Sequence, residues 1–222
     1  MSSNELDVDR LLQTLTFGDD PYAHFNERAT AEDIPPIQVA PVFGRLLQIL
    51  TELLDVRVAL EVGTLAGYSA AWIASGFGDG GRLISLELEP HHAKVARENL
   101  ASVGLDRAVD IRIGSALDTL PGLHNAPTVS GHVDLSFIDA DKASNAAYLE
   151  HAIALSRPGA LIIVDNVVRQ GEVLDASSTD PNVIGTRKVL TLLGSHPRLH
   201  STALQTVGLK GHDGFAAAIV LP

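Results

Sequence analysis

No cysteine occurs among the 222 residues, which excludes disulfides, thiolate metal sites and a cysteine nucleophile. Positive charge is scarce as well. Sixteen Lys and Arg stand against 27 Asp and Glu, a net charge of -11. Nucleic acid and anionic membrane surfaces are bound by clustered basic residues, so neither is expected as a partner. No apolar run approaches the ~20 residues of a membrane-spanning helix. The N-terminal M-S-S-N-E-L-D-V-D-R has neither the basic nor the apolar region of an export leader, and a soluble, cytoplasmic protein is the expectation. The dinucleotide fingerprint G-x-G-x-x-G is missing too, which argues against a nicotinamide cofactor. Nine histidines lack metal-ligand spacing. His196 and His200 lie four apart, but Pro197 between them and the want of a third ligand make that a surface turn.

What is present is a regular alternation. Apolar content is 45%, and a chain of this length buries roughly 70% of its unfolded surface as one domain, here taken as residues 1–222. Residues 6–15 and 42–54 carry apolar side chains at helical spacing, with a further helix between them. This N-terminal part, 1–55, is read as a cover over a core spanning 56–222. Strands are expected at 58–62, 83–86, 109–113, 133–138 and 161–164. Helices are expected at 68–75, 90–103, 116–120, 143–155 and 183–193. Such alternation implies a parallel, doubly wound α/β sheet. Two final strands, 199–207 and 215–221, flank G-L-K-G-H-D-G as an antiparallel pair with a long turn.

In open α/β sheets ligands bind outside the carboxyl ends of the strands. Asp139 follows the run V-D-L-S-F-I, and Asp165-Asn166 follow A-L-I-I-V. Three oxygen donors without sulfur or imidazole suit a hard cation such as Mg²⁺, or Mn²⁺ or Ca²⁺. Lys142 completes D-A-D-K and is one of only four lysines. Upstream, E-V-G-T-L-A-G-Y-S places Gly63 and Gly67 four apart between a strand and a helix. Glu87 ends the next strand, where an acid can accept ribose hydroxyls. Glu61 would repel a pyrophosphate, so an adenosyl group with a cationic sulfonium and an amino-acid tail fits better. Each piece also has a structural alternative: the glycines can serve a tight turn, Glu87 a helix start and Asp139 a helix cap. Arg169, just past the acid pair, can meet an acidic substrate group or, the favoured alternative, a surface carboxylate.

With E-V-G-T-L-A-G-Y-S, L-I-S-L-E-L-E-P, I-G-S-A-L-D-T-L-P, F-I-D-A-D-K and V-D-N in register, the chain from about Ile37 onward resembles the cation-dependent O-methyltransferases, the catechol and caffeoyl-CoA family. The resemblance implies a class I methyltransferase, Rossmann-like fold with a seven-stranded sheet whose last strand is inserted antiparallel. It implies a divalent metal on Asp139, Asp165 and Asn166, with Lys142 as the group that takes the proton of the reacting hydroxyl. S-adenosylmethionine would be contacted by Val39, Glu61, Gly63, Ser69, Glu87, Leu88, Ala116, Asp139 and Asp141. Arg169 is a candidate substrate contact, and so is Asp213 in the G-H-D-G turn. The acceptor implied is a small aromatic diol, and the assembly a homodimer. Animal catechol enzymes have tryptophan where this chain has Asp141, and the sole tryptophan, Trp72, lies elsewhere. Plant enzymes use basic N-terminal residues on CoA phosphates, whereas this N-terminal region is largely acidic, which disfavours a CoA ester. A nicotinamide-dependent oxidoreductase and a non-catalytic adenosyl-binding protein remain the alternatives.

Overall fold

The computed structural model describes residues 3–222; Met1 and Ser2 of the N-terminal segment read above lie outside that span. Three helices lead: α1 (Ser3–Thr16), α2 (Ala23–Ala31) and α3 (Pro41–Leu53). Then follow β1 (Val58–Val62), α4 (Tyr68–Ser75), β2 (Arg82–Glu87), α5 (Pro90–Ser102), β3 (Val109–Ile113), α6 (Ala116–Leu123), β4 (Val133–Ile138), α7 (Asn145–Leu155), β5 (Ser156–Asp165), α8 (Pro181–Ser195), β6 (Leu199–Gly208) and β7 (Gly211–Val220). They form one seven-stranded sheet of order β3-β2-β1-β4-β5-β7-β6. Only β7 runs antiparallel to its neighbours β5 and β6. That is the inserted last strand the resemblance implied.

Strands β1 and β4 are buried at every position, as expected where helices cover both faces of a parallel sheet. One face carries an aliphatic core under α6, α7 and α8. The other is aromatic, with Trp72, Tyr22, Phe25 and Phe137 buried among α2 to α5. Buried Asp134 in β4 accepts from the amides of Arg57 and Val58 at 2.8 and 2.9 Å and pairs with Arg157, tying β1, β4 and β5 together at their amino ends. That polar cluster sits at the end of the sheet away from the ligand edge.

Register does the positioning. Val62 lies opposite both Leu86 and Ile138, and Ile138 opposite Val164. The next residue of each strand therefore falls in one row across the carboxyl edge: Glu87, Gly63, Asp139, Asp165. Neighbouring strands are about 4.8 Å apart, so the row brings them within reach of a single ligand. The reversal of strand order on either side of β1 puts the switch-point crevice at the same place.

The structure departs from the sequence expectations in several places, among them β5, which begins at Ser156 instead of 161. The long turn expected at G-L-K-G-H-D-G is a tight one: β6 and β7 stay paired down to Gly208 and Gly211, and only Leu209 and Lys210 turn. Gly211, at φ 84, takes the left-handed position that closes such a turn. Helix α6 continues through Pro121 to Leu123 because Leu120 and Leu123 are both drawn fully into the core. Helix α7 starts two residues late, after a short 3-10 turn over Lys142–Ser144 whose amide at Ser144 donates to Asp141.

Candidate active site

Two cavities meet at the carboxyl edge. The larger, of about 690 Å³, is lined by Val39, Gly63, Ser69, Glu87, Leu88, Ala116, Asp139, Asp141, Lys142, Asn166 and Arg169 among others. The smaller, of about 360 Å³, has mostly apolar walls from Val42, Phe43, Leu46 and Phe215, with Asp165, Asn166 and Asp213 also on its wall. Val39, Asn166 and Lys210 border both.

Gly63 is required at the end of β1. It has φ 98, and a Cβ there would lie 2.5 Å from the Asp139 carbonyl oxygen, so any side chain would push β1 from β4. Beside it, the Glu87 carboxylate braces the glycine turn: Oε2 accepts from Thr64 N (3.1 Å) and Leu65 N (2.8 Å), and Oε1 from Glu89 N (2.9 Å). A carboxylate offers about four lone-pair positions; these amides take three, and His92 Nδ1 lies 3.4 Å from Oε1 beside the fourth. Glu61 does not reach the cavity wall. It is fully buried beneath it, accepting hydrogen bonds from the Ser69 hydroxyl at 2.6 Å and from Ser85. Burial raises its pKa to about 8, against the lowering effect of those two hydroxyls. Of the positions read as cofactor contacts, Glu61 alone touches the cavity only through a neighbour. This is a correction: its carboxyl supports Ser69 instead of facing a ligand.

Asp141 is held anionic. Burial raises its pKa, but hydrogen bonds from Ser144 and from the Tyr148 hydroxyl outweigh that and leave it below the ordinary carboxylate value. Across the cavity, Lys142 is buried and its Nζ donates to Asp139 Oδ1 at 2.5 Å. Asp165 is the frustrated member: burial, and then the charge of Asp139, push its pKa up to about 8 despite Lys142. Asn166 adopts a left-handed φ of 57 and turns its amide nitrogen to Asp213 (3.1 Å). The donors therefore comprise two carboxylates and a carboxamide. Among the described residues no group of three or more His, Cys, Asp or Glu is placed to hold a metal, so a cation here needs the Asn166 oxygen as its third protein ligand. The chemistry fits a hard divalent ion, whose charge would offset the burial and the like charge of Asp139 that raise the Asp165 pKa.

Asp213, read from the sequence as a substrate contact, does border the smaller cavity, yet its oxygens are engaged by the amides of Val168, Arg169 and Gly214 as well as by Asn166. Lys210 was missed, although its rarity as one of four lysines was a signal. Phe43 and Phe215, with ring centroids 4.9 Å apart, were missed because an aromatic pair of this kind is a core pattern until the fold brings it to a cavity.

Sheet order, the single antiparallel strand and the helices on both faces define a class I methyltransferase fold. The O-methyltransferase family model matches residues 20–212, and the chain belongs to that family. It is 46% identical over 218 residues to the catechol O-methyltransferase of Mycobacterium tuberculosis, covering 98% of this chain and 96% of that protein. Among solved structures, an O-methyltransferase from Bacillus cereus in complex with SAH is similar with a TM-score of 0.96 and 42% identity, over 99% of this chain and 100% of that one. The O-methyltransferase TomG from Streptomyces achromogenes, involved in tomaymycin synthesis and in complex with SAM, gives 0.95 and 36% over 100% of both chains.

Proposed function

We propose that the protein transfers the methyl group of S-adenosylmethionine to one hydroxyl of a small aromatic diol, with a Mg²⁺-class cation held by Asp139, Asp165 and Asn166. The carrying observation is the register that lines up Gly63, Glu87, Asp139 and Asp165 along one strand edge. The SAH and SAM of the two solved relatives and the catechol named for the mycobacterial one support the same reading.

In this reading the larger cavity takes the methyl donor. Val39, Leu88 and Ala116 enclose it and exclude water, Ser69 and the anionic Asp141 receive its amino-acid end, and Glu87 Oε1 accepts from the ribose. The chemistry that a bound divalent ion supplies is charge withdrawal, which acidifies the acceptor hydroxyl. Asp139 and Asp165 balance its charge. Lys142 Nζ, oriented by Asp139 and entering the step as the neutral amine, receives the proton of that hydroxyl while the oxygen displaces the thioether from the methyl carbon. The products are an aryl methyl ether and S-adenosylhomocysteine. Much of the rate comes from holding the two reactants in line. We further propose a homodimer, supported by apolar side chains exposed together on α1 and β6: Val8, Leu11, Leu12, Leu15, Leu204 and Val207.

The test is transfer of labelled methyl from S-adenosylmethionine to catechol. EDTA should abolish it and Mg²⁺ or Mn²⁺ restore it, while Lys142→Met should lower kcat by about 10²-fold or more, as loss of a general base does. Full turnover in EDTA sinks the cation, and a Lys142→Met enzyme at native rate sinks the base.

A further inference from the structure

The short turn that carries Lys142 is held from two sides. On one, the Asp141 side chain accepts from the amide of Ser144 at 3.1 Å and from the hydroxyl of Tyr148 in α7. On the other, α8 lies directly on the backbone of the turn, and the residue at the contact is the buried Gly185. A Cβ at Gly185 would stand 2.7 Å from the Ala143 Cα and from the Lys142 carbonyl carbon, and nearer still to the Lys142 carbonyl oxygen. Ordinary contact needs about 3.5 Å. These are backbone atoms that cannot rotate away, and that carbonyl already accepts from the amide of Asn145, where α7 begins. Even a methyl group at Gly185 therefore parts α8 from the turn by about 1 Å. Gly185 has no left-handed dihedral and lies inside a helix, where glycine is otherwise unfavourable, so what it supplies is the close approach. Two residues on, the Arg187 guanidinium donates to the Val173 carbonyl, in the segment that follows Asp165 and Asn166. One helix thus touches both the Lys142 turn and the chain beyond the acid pair, and its seat fixes their separation.

We infer that Gly185 is a positioning residue for the methyl transfer: by letting α8 rest on the backbone of Lys142, it sets where Nζ stands relative to Asp139 and the reacting hydroxyl. The inference rests on the proposed role of Lys142 at that hydroxyl. The Lys142 side chain is buried along its length, with Nζ on Asp139, so a displaced backbone carries Nζ with it. A misplacement of about 1 Å by a substitution away from the chemistry costs on the order of 10²-fold in rate.

With catechol as acceptor, Gly185→Ala should lower kcat by about tenfold to 10²-fold while KM for catechol stays within about twofold. Gly194→Ala, in the same helix but with open space around the added methyl, should keep the native kcat. A general loss of packing multiplies with other defects, whereas an effect exerted through Lys142 does not. In a Lys142→Met background, Gly185→Ala should therefore lower kcat no further than about twofold. Should Gly185→Ala not fold, Asp180→Ala decides: it removes the exposed side chain that caps α8 on the amide of Asn182 at 2.7 Å and frays the turn before Gly185. Its kcat should fall several-fold, and again not in the Lys142→Met background. A native kcat in whichever of the two variants decides, or a loss of equal size with and without Lys142, overturns the positioning role and leaves the methyl transfer standing. Lys142→Met at the native rate overturns the base and the positioning role together.

Discussion

Asp213 gathers four donors: the Asn166 carboxamide on one oxygen, and on the other the amides of Val168 and Arg169 from the same segment and of its own neighbour Gly214. With its amide nitrogen so committed, Asn166 keeps its carbonyl oxygen for a cation. Groups that orient a ligand in this way commonly affect metal affinity by 10- to 100-fold. Asp213→Asn should therefore weaken Mn²⁺ binding by about tenfold, and an unchanged Mn²⁺ dissociation constant by calorimetry would detach Asn166 from Asp213. Glu61 sets a pH dependence. Its pKa is raised by burial from 4.5 to about 8, so between those values the unfolded chain releases a proton that the folded one retains. Its contribution to stability is fully present below pH 4.5 and is lost as pH rises through about 8. Melting temperatures of the protein without ligand should accordingly fall between pH 5 and 8, and less steeply in Glu61→Gln; parallel slopes for the two proteins would remove Glu61 as the cause. The strand-end acids were legible because each closes an apolar run. The support that Asp213 and Glu61 give was not, since a hydrogen bond 47 residues away has no local pattern.

At the level of elements, parallel strands announced themselves best. Strands β1, β3 and β4 have the limits that the sequence suggested: β1 and β4 are buried at every position, as strands covered on both faces are, whereas β3, at the edge of the sheet, shows the alternation V-D-I-R-I of a half-buried strand. β5 was read too short: its first residues, S-R-P-G, look like a turn, and they join the strand because Ser156 pairs with Val133 across a register shift. The antiparallel pair was legible, but its tightness was hidden by the glycines of G-L-K-G-H-D-G, which look like a long turn although the strands stay paired down to Gly208 and Gly211; β6 gives no alternation to count, since its ten residues are exposed everywhere between its ends. That misreading concealed a functional consequence. A long mobile turn would carry Lys210 loosely, whereas a tight hairpin, pinned by Asp9 to α1, holds it over the crevice. The cover assigned to the N-terminal helices has a concrete form here, with Val39, Val42, Phe43 and Leu46 making the apolar wall against which an acceptor ring would lie.

For the whole molecule, the open question is what shields β6. It is the last strand in the sheet order, and a long exposed edge strand tends to be covered or to recruit another chain. Here α1 packs beside it and adds further exposed apolar groups, Leu15 at 74% and Leu11 at 56% exposure. Contiguous apolar surface of this kind usually marks an interface. A homodimer made through α1 and β6 would bury both and would also clamp the hairpin, since Asp9 joins α1 to the tip that carries Lys210. Assembly and acceptor binding should then be linked. Light scattering should give twice the 23.5 kDa of one chain, and the pair Leu11→Glu, Leu15→Glu should give one. In that monomer the KM for the acceptor should rise several-fold while affinity for S-adenosylmethionine, whose proposed cavity lies at β1 and β2, stays within about twofold. A native mass of one chain at micromolar concentration rejects the dimer, and an unchanged acceptor KM in the monomeric variant rejects the linkage.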